Sequence, residues 1–240
     1  ITATIKQYGD YITTSDVLEF STLDPILTET ADALGQQAGN SLDQICRDVL
    51  VAGSTVQYAS TATSTNTVTA AMTLTRSEIR QAVRTLQNND AVKITRMVNP
   101  STGFNTSPIN AAFIGIISAS TLYDLKGEVG FISVEEYASQ KGVMDGEVGA
   151  MDDVRFIMTT NASTTTGTLA TVHQTLILAQ NYYGISRISG EAMKNIVKPL
   201  GSGGTGDPLD QITTSGWKAT FVPKRLNENF AVRIEHGASA

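Results

Sequence analysis

An apolar face that repeats along residues 24–52 constrains the fold more than any other feature of this sequence. The small or apolar residues on this face follow one another at steps of four and three: Leu27, Ala31, Leu34, Ala38, Leu42, Ile45 and Val49. This spacing is typical of one side of an amphipathic helix. Asp24 suits the N-cap, Pro25 the first helical position and Gly53 the C-terminal exit. The pattern predicts a helix of about 28 residues and roughly 42 Å.

Two shorter helices are predicted from capping boxes. Thr75 with Glu78 predicts a helix that ends at the cluster Asn88-Asn89-Asp90. Ser133 with Glu136 predicts another that ends near Gly142.

Much of the remaining sequence favours strands, since 32 threonines accompany few aromatic residues. The continuous apolar run 111–118 predicts a central strand buried on both faces. Further strand regions are predicted at 148–160 and 172–188, separated by an exposed loop with the sequence NASTTTGT. The alternating segments 218–221 and 230–234 predict a terminal antiparallel pair. Trp217, beside this pair, is expected to be buried, with its indole N–H bonded to an acceptor.

The first residues predict a strand without an evident partner. Ile1, Ala3 and Ile5 alternate with polar residues, and Tyr11 and Thr13 continue the alternation. Such a strand pairs with a segment far along the chain, with a segment upstream of Ile1, or with another subunit.

Composition argues against several classes of protein. A net charge of −6 and a pI near 4.9 argue against a surface built to hold nucleic acid. The longest apolar run is far shorter than the about 20 residues of a membrane span. A single cysteine, Cys46, excludes an internal disulfide framework. No signal peptide is visible, so secretion is not expected.

No motif in the sequence predicts catalysis, a cofactor or a metal site. The run GSGGTG at 201–206 lacks the Lys-Ser/Thr of a phosphate loop and predicts a flexible connector. His173 and His236 have no carboxylate or cysteine at ligand spacing, so they are interpreted as strand or terminal residues. The acidic run MDGEVGAMDD around Asp145 and Asp152 predicts a solvated turn.

Three arginines form one stripe on the helix predicted from Thr75: Arg76, Arg80 and Arg84. A stripe of this kind can meet an acidic neighbouring subunit or simply face solvent.

Eight blocks of the sequence follow one another with short spacers and cover nearly the whole chain. They are QYGDYITTSD, LDPILTETADALGQQAGNSLDQICRDVLVAGSTVQYA, LTRSEIRQAVRTLQNNDAVKITRM, FIGIISASTLYDLKG, VEEYASQKG, GEVGAMDDVRFIMTTNA, YYGI and DPLDQITTSGWKATF. In this order they resemble the major capsid proteins of tailed bacteriophages, of the N-four-like branch. Members often carry His at the position of Ser118, and they normally have an arm and an outgoing strand before Ile1.

The resemblance implies the α+β Hong Kong 97-like capsid fold, with a long spine helix, a peripheral domain and an axial domain with a central β-sheet. Residues 1–22 would be the returning strand of an extended loop. Residues 23–60 and 208–240 would form the peripheral domain, and residues 61–207 the axial domain. Tyr8 and Tyr11 would meet an adjacent subunit, so the opening strand is expected to be needed for assembly rather than for folding.

The implied function is assembly rather than catalysis. Copies of the chain would form the hexamers and pentamers of an icosahedral shell around double-stranded DNA, bound without sequence specificity, with decoration or scaffolding proteins as further partners. The virion would be its location, after assembly in the cytoplasm of the bacterial host. Two alternatives stay open: an encapsulin-like nanocompartment shell, and a threonine-rich fimbrial protein, which would need a signal peptide. An enzyme is the weakest option.

Overall fold

The computed structural model describes residues 2–21, 26–96, 110–138, 142–186 and 193–239. Its α-helices are α1 (Asp16–Ser21), α2 (Ile26–Val51), α3 (Arg76–Asn88) and α4 (Ala119–Gly127). Its strands are β1 (Lys6–Ser15), β2 (Val56–Tyr58), β3 (Phe113–Ile117), β4 (Ile132–Ser133), β5 (Glu147–Met151), β6 (Val154–Met158), β7 (Thr164–Thr166), β8 (Thr171–Leu178), β9 (Tyr183–Ser186), β10 (Lys194–Lys198), β11 (Ile212–Arg225) and β12 (Ala231–His236). No helix in these ranges has the length and apolar character to cross a bilayer.

The chain divides into two compact units. The first comprises Ile1–Cys46 with Gly184–Lys224, and the second Arg47–Tyr183 with Arg225–Ala240. The peripheral and axial domains that the resemblance implies stay a prediction for this chain.

The first unit is built on a four-stranded sheet. β11 lies between β1 and β10 and also pairs with β9. β1 runs antiparallel to β11 along its whole length, from Lys6 opposite Phe221 to Ser15 opposite Ile212. Of the three partners considered for the opening strand, a segment far along the same chain is therefore the one that pairs with β1.

The predicted strand at Ala3 and Ile5 was wrong, because residues 2–5 are irregular and exposed. The ladder with β11 begins at Lys6. Continuing the register would place Thr4 opposite Pro223, which has no N–H to donate and ends a ladder.

Helix α2 confirms the predicted long helix over Ile26–Val51, and Asp24 and Pro25 lie outside the described residues. Within the first unit, Leu34 and Ala38 are buried against Trp217 and Ala219 of β11. The other apolar residues of the helical face are half-buried. The last two residues of α2, Leu50 and Val51, belong to a cluster of the second unit with Tyr182.

The second unit contains an eight-stranded sheet in the order β2-β12-β8-β3-β6-β5-β4, with β7 paired to β8. β3 lies between β8 and β6, which confirms the predicted central strand. α3 packs on this sheet. The main core cluster includes Leu74, Ile79, Leu86, Phe113, Phe156, Ile177 and Ile234.

Helix α3 begins and ends where the sequence predicts. Thr75 is its N-cap and shares a capping box with Glu78, whose carboxylate accepts the Thr75 N–H at 2.9 Å. The same carboxylate accepts the N–H of Ser60 at 3.0 Å, so the box also fixes the preceding loop.

The predicted helix from Ser133 to Gly142 was wrong. Only Val134–Glu136 forms a single 3₁₀ turn, and residues 139–141 lie outside the described residues. Tyr137, 3% exposed, has extended backbone, and its hydroxyl donates to Oε1 of Glu147 at 2.8 Å. This buried contact favours extended backbone where local propensity favours a helix.

The predicted terminal antiparallel pair was also wrong, since β11 and β12 belong to different sheets. Both edges of β12 are occupied, by β2 in parallel and by β8 in antiparallel orientation. Alternation predicts a strand but does not identify its partner. In the predicted loop, the exposed residues Thr164–Thr166 form β7 and pair with β8. The region 148–160 is the hairpin of β5 and β6, and of the region 172–188 the last two residues lie outside the described ranges.

Candidate assembly surfaces

The arginine stripe of α3 faces the turn between β5 and β6. Asp152 and Asp153 form this turn, both with positive φ, 43° and 69°. Nε and Nη2 of Arg76 donate to the two carboxylate oxygens of Asp152 at 2.6 and 2.9 Å. Nη1 of Arg76 also donates to the carbonyl of Val129 at 3.1 Å. Arg76 therefore ties the first turn of α3 to the hairpin.

The arginines of the stripe make fewer contacts within the chain from the first to the last turn of α3. Arg80 contacts Asp152 at 3.3 Å and its side chain is 65% exposed. Arg84 is exposed and has no ion pair among the described residues. The hydrogen bond from Arg76 lowers the pKa of Asp152, and the same bond raises the pKa of Arg76. Both carboxylate oxygens of Asp152 thus accept hydrogen bonds from Arg76. Arg80 and Arg84 are therefore able to bind a further anion.

An open groove of about 460 Å³ runs beside the stripe. Arg76, Arg80 and Arg84 line it together with Gln87 and Asn110, and Met151 and Val154 contribute apolar atoms. A guanidinium offers two parallel donors to a carboxylate. The groove can therefore hold an acidic side chain, and the described residues contain no cluster of metal-ligating side chains.

The acidic run that was predicted to be a solvated turn is largely paired, so this prediction was wrong in part. The turn exists, but Asp152 binds Arg76, and Glu147 is buried in an ion pair with Arg155 at 2.5 Å. The Glu147 carboxylate also accepts the Tyr137 hydroxyl and the Met144 N–H. The pairing was missed because Arg155 follows in the next strand, and only the hairpin brings the two residues together.

Tyr8 and Tyr11 lie on opposite faces of β1. Tyr8 is half-buried and packs against the α2-facing cluster that contains Leu34 and Trp217. Tyr11, opposite Gly216, is 68% exposed on the other face. Tyr8 thus contributes to its own unit, whereas most of the Tyr11 ring is accessible.

His173 and His236 are strand residues, which agrees with their interpretation as strand or terminal residues. They are paired across β8 and β12, and their ring centroids lie 6.1 Å apart. Nδ1 of His236 donates to the carbonyl of Gly237 at 2.6 Å, and Nε2 accepts from Thr175 at 2.8 Å. Burial lowers the pKa of His236 to about 4. Burial also lowers the pKa of His173, which contacts Ser118. No sequence pattern predicts that these histidines meet, because only the register of β8 and β12 pairs them.

Comparison with known proteins finds likeness in structure alone. No protein-family model matches the sequence, and no curated protein matches it either. The structure is similar to the capsid of Ralstonia phage GP4, with a TM-score of 0.73 at 10% identity over 98% of this chain and 74% of that chain. It is similar to the cyanophage Pam1 capsid, with a TM-score of 0.67 at 14% identity over 98% and 75% of the two chains.

The structure of an encapsulin also matches. The SrpI encapsulin of Synechococcus elongatus gives a TM-score of 0.60 at 6% identity, over 98% of this chain and 74% of that chain. The chain has the α+β Hong Kong 97-like capsid fold, with a long helix packed against a sheet.

Proposed function

We propose that this chain is the major capsid protein of a tailed bacteriophage, and that its copies form the hexamers and pentamers of an icosahedral shell around double-stranded DNA. The observation that carries the proposal is the likeness to phage capsid structures over 98% of the chain. The order of eight sequence blocks supports the finer assignment to the N-four-like branch. The protein would then be located in the virion, assembled in the host cytoplasm, with decoration or scaffolding proteins as further partners.

Assembly requires surfaces that are satisfied only by another copy. Arg80 and Arg84 offer donors that the described residues leave largely unused, and Tyr11 offers an exposed ring. We propose these three as the first candidates for contacts between subunits. Tyr8 and Arg76, predicted for the same role, would support those contacts from within their own units.

The encapsulin-like nanocompartment is the second candidate, and the likeness to the SrpI encapsulin supports it. The TM-score of 0.60 is lower than the 0.73 of the Ralstonia phage capsid. The two kinds of shell differ in what they enclose, because a nanocompartment encloses protein cargo and a phage head encloses DNA.

Expression of the chain followed by electron microscopy tests the proposal. Closed shells are expected, and shells from phage-infected cells should contain DNA that resists nuclease. Shells that contain protein cargo and no protected DNA would favour the nanocompartment. A chain that stays monomeric at every concentration would contradict both functions.

A further inference from the structure

The sheet of the first unit has one face covered by α2 and one open face. Trp217 and Ala219 of β11 pack on α2, so the even-numbered residues of β11 point to the open face. Lys218 and Lys224 are two of these residues. Because directly paired residues share a face, Lys194 and Lys198 of β10, opposite Lys218 and Thr214, also lie on the open face.

This open face carries four lysines and no acidic residue among its described strand positions. Lys194 stands directly opposite Lys218, so two of the four lysines are neighbours across the ladder.

The other side of the first unit has the opposite charge. Glu29, Asp32 and Asp43 are exposed on α2, at helical spacings that place them away from the face of Leu34 and Ala38. No basic residue occurs between Ile26 and Cys46. The first unit therefore has one acidic and one basic side, although the net charge of the whole chain is −6.

Two of the four lysines line a shallow depression of about 390 Å³. Asp10 lines it too, but Asp10 is paired with Trp217 and its carboxylate accepts a hydrogen bond from Gln37 of α2. The lining of the depression includes Gly216, where a Cβ would lie 2.9 Å from the Cβ of Tyr11. The two lysines are Lys198 and Lys218, and Tyr11 and Ile196 are 68% and 44% exposed. The surface is thus open, positively charged and partly apolar.

We propose that this lysine face contacts the phosphate backbone of the DNA inside the shell, without reading its sequence. The inference rests on the proposed function, in which the shell encloses DNA. It identifies the lysine face as the surface of the chain that contacts this DNA. Lysine is depleted in protein–protein interfaces, where arginine is enriched. Point charges without bidentate donors suit phosphates that are bound independently of sequence. The acidic face of α2 then points away from the polyanion.

Binding of the whole chain to a short labelled duplex of random sequence, followed by fluorescence anisotropy over a series of salt concentrations, tests the proposal. The variant K198Q/K218Q should lose affinity on the order of 100-fold at about 50 mM salt, and its log–log salt slope should flatten by about 2. The matched control K6Q/K126Q changes the charge equally at two exposed lysines outside the lysine face, and it should bind as the unchanged chain does.

Three outcomes would overturn the proposal: no binding by the unchanged chain at low salt, equal binding by K198Q/K218Q, or tighter binding of polyglutamate than of DNA at equal charge concentration. The last result would assign the face to an acidic protein. Electron microscopy of the same preparations separates this inference from the proposed function. Unassembled subunits that do not bind the duplex but then form shells refute only the lysine face, whereas duplex binding by a chain that never forms shells refutes the capsid function.

Discussion

Trp217 connects α2 to the sheet of the first unit by packing and by a hydrogen bond. Its ring is 5% exposed and contacts the cluster of Leu34 and Ala38. Its Nε1 donates to Oε1 of Gln37 at 2.8 Å. A buried indole stabilises the fold through its large apolar area, and the hydrogen bond from its N–H orients the ring. The burial and the acceptor predicted for this side chain are both confirmed.

Leu34→Ala should lower the free energy of unfolding by about 2–5 kcal/mol, because Leu34 is 4% exposed and its removal leaves a cavity beside Trp217. Gln36→Ala, on the exposed side of α2, is the control and should change stability by less than about 0.5 kcal/mol. Urea unfolding, followed by the fluorescence of the single tryptophan, measures both. Equal effects of the two substitutions would show that Leu34 does not face the core.

His236 should make stability fall on acidification. Its pKa is about 4 in the folded chain because of burial, and about 6.5 in the unfolded chain. The contribution of the neutral His236 side chain to the free energy of unfolding is complete above about pH 6.5. Below that pH the unfolded chain binds a proton at His236 and the folded chain does not, so the free energy of unfolding falls by about 3 kcal/mol down to pH 4. Urea titrations from pH 7 to pH 4 should show a shallower fall for His236→Gln. Identical slopes would contradict the assignment.

At the scale of elements, the hairpin of β5 and β6 depends on a buried ion pair. Glu147 and Arg155 are almost fully buried, and Nη2 of Arg155 also donates to the carbonyl of Gly142 at 2.8 Å. Burial and the hydrogen bond to Glu147 raise the pKa of Tyr137, so its hydroxyl stays a donor.

Arg155→Met should cost about 3–5 kcal/mol, because it leaves the Glu147 carboxylate buried without its partner. The double variant E147Q/R155M removes both charges, keeps an acceptor for the buried Tyr137 hydroxyl, and should recover part of this loss. Thermal or urea unfolding of the three proteins measures the coupling. A double variant as unstable as the single one would mean that packing, rather than charge, explains the loss.

The pairing of β1 with β11 changes the outcome expected from a truncation. The sequence predicts that removal of residues 1–13 leaves a folded monomer that cannot assemble. Because β1 is paired along β11 and Tyr8 packs on α2, we expect this truncation to destabilise the first unit. Hydrogen exchange should show lost protection over residues 212–221. Removal of residues 1–4 is the control, and unchanged protection in the longer truncation would restore the first expectation.

At the scale of the whole molecule, the chain leaves charged and aromatic surfaces accessible on both units. One of these surfaces is the groove lined by Arg76, Arg80 and Arg84 in the second unit. The other is the lysine face in the first unit. Within the proposed shell the two serve different partners. The groove would meet carboxylates of a neighbouring copy. On the lysine face, the lysines of β10 and β11 would meet DNA phosphates, and Tyr11 of the edge strand β1 would meet a neighbouring copy.

The double reversal R80E/R84E should abolish or strongly reduce closed shells while the monomer unfolds as before, because both side chains are exposed and Asp152 keeps its contact with Arg76. Electron microscopy and size-exclusion chromatography measure assembly. The double reversal K6E/K126E, at two other exposed residues, controls for the change in net charge. Normal shells from R80E/R84E would remove the stripe from the candidate contacts.

The local elements of this fold were predicted from local patterns. The period of the apolar face defined α2, the capping box at Thr75 defined α3, and the apolar run before Ser118 defined β3, since each pattern acts between residues close in sequence. The same kind of pattern failed at Ser133, where the buried hydroxyl of Tyr137 outweighed a weak helix signal.

Only the tertiary structure decided which elements meet. It paired β1 with β11, separated β11 from β12, joined Asp152 to Arg76 and stacked His173 on His236. The sequence by itself determined the periodicities, the caps and the charges, because these depend on the local chain. Strand partners and ion pairs between distant residues depend on which arrangement buries the apolar faces together with the fewest unpaired polar groups, and that condition applies to the folded chain as a whole.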